Sequence, residues 1–88
     1  MMQITDVHFE GGNQHQNITE LKWLNTDTGV TGTSPIEEMI AYVRQYPGSV
    51  FVEGPMRSWL GVVTAQPEYL QTYTDGAWTN DLLTLPQY

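Results

Sequence analysis

His8, Glu10 and His15 are the residues of this chain whose types could hold a metal ion or pass a proton. His8 and Glu10 stand two apart in the alternating stretch QITDVHFE, so on a strand they share a face, and His15 could return over them from the polar run that follows. Three such ligands, with a fourth position open to water, is the form that a catalytic zinc site takes. The spacing matches no established ligand motif, however. The plainer reading makes His8 and Glu10 an exposed pair and His15 a loop residue.

Other chemistries fail sooner. Ser34, Ser49 and Ser58 lack a G-x-S-x-G setting and have only two histidines to draw on as bases. Glu37 and Glu38 are neighbours, and neighbours on a helix point about 100° apart, which suits two anions at a helix start better than an acid–base pair. Gly29 to Gly32 precedes a helical stretch, yet no lysine follows and no G-x-G-x-x-G exists, so it is no phosphate loop. The absence of cysteine removes disulfides, thiolate metal sites and cysteine nucleophiles together. The expectation is a protein that is not an enzyme, with no catalytic residue and no cofactor.

The aromatic residues point elsewhere. Three Trp, five Tyr and two Phe are more than an 88-residue domain can bury completely, and Trp and Tyr anchor interfaces. The plainer reading is core plus scattered partial exposure; the alternative is one exposed patch flanked by acids, with Trp59, Tyr69, Tyr73 and Trp78 as its candidates. Lys22, Arg44 and Arg57 stand against ten acidic residues, for a net charge of −7. Phosphate backbones and anionic lipids need clustered Lys and Arg, so neither direct nucleic-acid binding nor membrane binding is expected; the plainer reading of the acidity is solubility, and the sharper one is a surface that attracts a basic protein.

Short elements must position these side chains. The best specified is SPIEEMIAYVRQYPG, residues 34–48. Ser34 reads as a helix cap, Pro35 as the first helical residue and Glu37 as the partner in an S-x-x-E capping box. Ile36, Met39, Ile40, Val43 and Tyr46 recur at three- and four-residue steps, the stripe of a helix over about 34–46. Pro47 and Gly48 stop it, Gly48 by taking a left-handed conformation.

The rest reads as strands over residues 3–10, 18–25, 49–54, 58–65 and 68–74, with 49–54 placed centrally. Residues 11–17 read as a hairpin loop with a mobile tip, and 26–33 as a loop leading to the cap. Asp75-Gly76 is a tight turn, after which AWTNDLLTLPQY is too apolar to hang free and should fold back. The expected class is α+β: one domain over 1–88, a single twisted and mainly antiparallel sheet in the order β-β-α-β-β-β, one helix on one face and a C-terminal arm. A core this thin would gain from a second copy, so a homodimer is one expected state. No stretch has the form of a signal peptide or reaches the about 20 apolar residues that a membrane span needs, which favours a cytoplasmic protein.

Residues 4–8 (ITDVH), 18–23 (ITELKW) and 50–54 (VFVEG) resemble blocks of a family of small bacterial proteins known as a domain of unknown function, number 3892 in the unknown-function series. The closing run is similar as well: Tyr69-Leu70-Gln71-Thr72, Asp75, Asn80-Asp81-Leu82-Leu83 and Leu85-Pro86. The family more often has Asp before Asn ahead of the leucine pair, whereas here Asn80 precedes Asp81. The resemblance implies a bacterial cytoplasmic or mobile-element protein, and a structural role for Asp75, Asn80 and Asp81 in the last turn, beside the turn residue Gly76. The combined expectation is a non-enzymatic protein-binding module of a bacterium or its phage or plasmid, one version being an acidic inhibitor of a host or defence protein. The alternative is a small-molecule or metal-binding protein using His8, Glu10 and His15.

Overall fold

A computed structural model describes all 88 residues. The chain runs β1 (Met2–Phe9), a 3₁₀ turn (His15–Asn17), β2 (Ile18–Asn25), β3 (Thr31–Pro35), α1 (Ile36–Gln45), β4 (Val50–Val52), β5 (Ser58–Val63), β6 (Tyr69–Thr74), β7 (Ala77–Thr79) and a closing 3₁₀ turn (Asp81–Thr84). The strands form one sheet in the order β3-β2-β1-β4-β5-β6-β7. Only β1 and β4 run parallel; the other neighbours are antiparallel. This is the expected α+β sheet with one helix, carrying two strands, β3 and β7, beyond the expected five.

The first two strands solve a problem of periodicity. Ile4 and Val7 are three apart, as are Ile18 and Leu21, so strict alternation would send one of each pair to the outer face. All four are buried. The register shifts between Ile4 and Asp6 and again between His8 and Phe9, where Phe9 faces Ile18 while His8 faces Glu20. One extra residue at each point, Thr5 on β1 and Thr19 on β2, turns the next apolar side chain back inward.

The core joins these residues to Met39 and Val43 of α1 and to Val50, Val52, Leu60, Leu70 and Leu82. β4, the fourth of seven strands, has all three residues buried, as its unbroken apolar run requires. The edge of β1 beyond Gln3, which β4 leaves free, is taken by the C-terminal arm. Val7 N–H donates to Pro86 O (2.9 Å) and Tyr88 N–H donates to Val7 O (3.1 Å). The arm is thus folded back, as its apolar content demands.

Three expectations are corrected. Ser34 is no helix cap: α1 begins at Ile36 after Pro35, without a side-chain capping bond and so without the Ser34–Glu37 capping box. Ser34 belongs to β3 and its hydroxyl accepts a hydrogen bond from Trp23 Nε1 (3.0 Å). Residues 31–35 are therefore not loop but the edge strand paired with β2. Their Thr-rich sequence is strand-compatible, and β2 offers the edge on which they pair. Tyr46 leaves the buried stripe, because the helix ends at Gln45; it stands exposed and packs on Tyr42 with ring centres 5.0 Å apart. The stop itself is as expected, with Gly48 at φ +74°.

Candidate functional site

Pleating sends Val52, Ser58, Leu60, Leu70 and Thr72 to the core and leaves Phe51, Trp59, Gly61 and Tyr73 on the opposite face. Strand register then aligns them. Phe51 faces Trp59, Trp59 faces Tyr73, and Tyr73 faces Trp78, so four aromatic side chains form a single row across β4, β5, β6 and β7. The tight turn at Asp75 and Gly76, both at positive φ (50° and 78°), sets the last step of that register.

The rings meet at their edges. Phe51 and Trp59 have centres 5.8 Å apart at 61°, and Tyr73 and Trp78 have centres 6.0 Å apart at 84°, the geometry that matches ring edges to ring faces. The Arg57 guanidinium lies 4.0 Å over Phe51 and 5.9 Å from the Trp59 ring. Its Nε donates to Glu53 Oε2 (2.9 Å), and this bond holds the Glu53 carboxyl below its usual value and raises Arg57. At the open end Trp78 is 53% exposed, leaning over Gly61, where a Cβ would come within 3.1 Å of the indole. The row therefore runs from a covered, cationic end to a half-exposed indole beside a turn bearing Asp75.

Behind the row, polar bonds fix the β6–β7 corner. Thr72 and Thr79 share a 2.6 Å hydroxyl–hydroxyl bond, Thr79 Oγ1 donates to Asp81 Oδ2 (2.9 Å), and Asp81 N–H donates to Thr72 Oγ1 (3.2 Å). Asn80 contributes its carbonyl to Leu83 N–H.

Of the four aromatics that are candidates for one surface, Trp59, Tyr73 and Trp78 come together. Tyr69 stands at the other end of β6, stacked on His15 with centres 6.1 Å apart. Phe51, Arg57 and Gly61 complete the site and were missed. The hairpin lengths carried the signal: the Asp75-Gly76 turn alone pairs Tyr73 with Trp78.

The trio His8, Glu10 and His15 is parted. His8 and Glu10 do share a face, with His8 Nε2 3.7 Å from Glu10 Oε2. They line a shallow recess with Thr19, Glu20 and Tyr88. There His8 Nδ1 donates to the main-chain oxygen of Tyr88, Tyr88 Oη donates to Glu20 (2.8 Å), and Lys22 lies 4.6 Å over the Tyr88 ring. Burial, then the Glu20 carboxylate, raises the Tyr88 phenol. His15 instead turns inward against β6, 8% exposed, so the three do not gather into one metal-ligating group. None of the serines hydrogen-bonds a histidine, and Ser58 Oγ is buried without a partner.

Burial of His15 has a pH consequence. Its Nε2 lacks a hydrogen-bond partner, and desolvation lowers its pKa from 6.5. Below pH 6.5 the unfolded chain takes up a proton that the buried ring resists, so stability falls as pH falls through that value. The melting temperature of His15→Leu should fall less than that of the native chain between pH 7.5 and 5.5. Parallel melting curves would contradict this.

The family model described as "Protein of unknown function (DUF3892)" matches residues 3–86, and the chain belongs to that family. No curated protein and no solved structure matches it significantly. No helix is long and apolar enough to cross a membrane.

Proposed function

We propose that the chain is a non-enzymatic protein-binding module whose contact surface is Trp59, Tyr73 and Trp78 with Arg57, standing on the buried Phe51. The observation that carries this reading is the register itself. Three accessible aromatics and an arginine, residue types that supply most interface hot spots, are aligned across β5, β6 and β7 over the buried Phe51. The covered end is rigid, and the Trp78 end offers a large apolar surface with little side-chain entropy left to lose.

Charge selects the partner. The net charge is −7, and all three basic side chains are engaged within the fold: Lys22 on Tyr88, Arg44 with Glu68, Arg57 with Glu53. An excess of free carboxylates steers a basic protein surface toward the domain and repels a second acidic copy. An acidic inhibitor seated on the basic surface of a nucleic-acid-binding protein is the form of module that this balance fits.

The test is comparative capture with the native chain and with Trp78→Ser, whose fold is confirmed by circular dichroism at the capture temperature because loss of the half-buried indole from Tyr73 and Gly61 costs about 2–3 kcal/mol. A basic partner should be held by the native chain, be released as salt rises, and be held more than roughly tenfold less by Trp78→Ser. Equal capture by both, or recovery of the chain alone, would overturn the proposal.

A further inference from the structure

A second site lies on the other side of the molecule, in the cleft between α1 and the β2–β3 hairpin. It holds about 250 Å3 and is lined by Met2, Trp23, Ser34, Glu38, Met39 and Tyr42. Pockets for drug-sized molecules run to roughly 300–1,000 Å3, so this one suits a fragment.

We infer that this cleft binds a methylated ammonium group, with Trp23 and Tyr42 presenting their rings to the cation and Glu38 supplying the countercharge. Two aromatic rings, two thioethers and one carboxylate make the chemistry of a cage for a soft cation: the rings attract positive charge through their quadrupoles, and the methionines are polarizable. A bare ammonium would lose its water here to walls that offer few acceptors, whereas methyl groups need none.

The Trp23 wall is fixed before any ligand arrives. Trp23 is fixed by its Nε1–H bond to Ser34 Oγ (3.0 Å) and by Gly32, whose bare Cα lies against the ring; a Cβ there would come within 2.5 Å of Cζ2. Tyr42 and Glu38 stand one helical turn apart on α1. No basic side chain lines the cleft, and the three in the chain are engaged elsewhere, so the Glu38 carboxylate has no internal cation. The overall negative charge draws a cation toward it.

Two sources share this chemistry, a free quaternary amine and a trimethylated lysine side chain. The experiment titrates the full chain, by calorimetry and by amide chemical shifts, with four probes: choline, its uncharged isostere 3,3-dimethyl-1-butanol, a short peptide carrying trimethyllysine, and the same peptide unmodified. Choline should bind saturably and roughly tenfold more tightly than the isostere, as two ring–cation contacts and one carboxylate would give. Tyr42→Leu, at an exposed position that should tolerate it, and Glu38→Gln should each weaken choline several-fold, while Tyr42→Phe keeps binding. If the trimethyllysine peptide binds more tightly than choline and the unmodified peptide does not bind, the source is a modified protein. If choline is the tighter of the two, the source is a free amine. Absence of saturation by either cation, equal binding of choline and its isostere, or indifference to Tyr42→Leu would overturn the inference. Since none of these residues belongs to the β4–β7 row, either result leaves the contact surface proposed above to its own test.

Discussion

Replacing Leu82 with Ala is expected to lower stability by about 3 kcal/mol, and the melting temperature by about 12–24 °C for a domain of this size. Leu82 is fully buried and belongs to the same cluster as Val7, Val52 and Leu70, although it sits in a one-turn 3₁₀ segment near the end of the chain. A truncated side chain leaves a cavity that the rigid strands around it can only partly close. The corner bonds through Thr72, Thr79 and Asp81 hold the backbone of this turn in place, so the arm cannot slide in to fill the space. The same substitution at a free tail would cost nothing. Urea unfolding of the two chains decides: a loss below about 1 kcal/mol would mean that the arm does not contribute to the core as described.

The second large effect is expected at Gly32. Valine in an edge strand normally helps, since glycine costs about 0.5–1 kcal/mol relative to alanine in such positions. Here the Cβ would lie 2.5 Å from Cζ2 and 2.9 Å from Cη2 of Trp23. The indole is anchored by its Nε1 bond to Ser34, and swinging it away from Gly32 would break that bond. Overpacking of this kind costs about 1–3 kcal/mol or more, which exceeds the propensity gain, and Gly32→Val should be destabilised by about 2 kcal/mol. In a Trp23→Leu background most of that cost should vanish, giving a coupling energy above about 1 kcal/mol in a double-mutant cycle. A neutral or stabilising Gly32→Val, or additivity in the cycle, would contradict the packing of Gly32 on Trp23.

How much of this was legible in the sequence follows from which physics is local. The helix stripe from Ile36 to Val43, the Gly48 stop, the Asp75-Gly76 turn and the unbroken apolar run of β4 each depend on a few consecutive residues, and these appear where the pattern places them. The helix start did not. Ser34 and Pro35 satisfy the capping pattern, but pairing with β2 and the demand of the Trp23 N–H for an acceptor outweigh a local cap. Bulges at Thr5 and Thr19 leave only the three-residue spacings Ile4–Val7 and Ile18–Leu21 as a trace, which do not show which face is buried or where the extra residue falls. The destination of His15 was equally hidden: a polar loop predicts exposure, and only the approach of β6 supplies an aromatic wall for it. The aromatic surface was half legible, since composition named three of its members. Phe51 and Arg57 entered through registers that no single strand reveals.

The binding surface is the central claim, and photo-crosslinking from its half-exposed end tests it most directly. A photoreactive aromatic side chain, p-benzoylphenylalanine, which keeps a large apolar ring at position 78, is compared with one at Val30, which is similarly exposed but lies in the β2–β3 loop at the opposite edge of the sheet. The account predicts a crosslink from position 78 to a basic protein, weakened by salt and by Tyr73→Ser, with little product from position 30. Equal yields from both positions, or a product from position 78 made only of this chain, would contradict it.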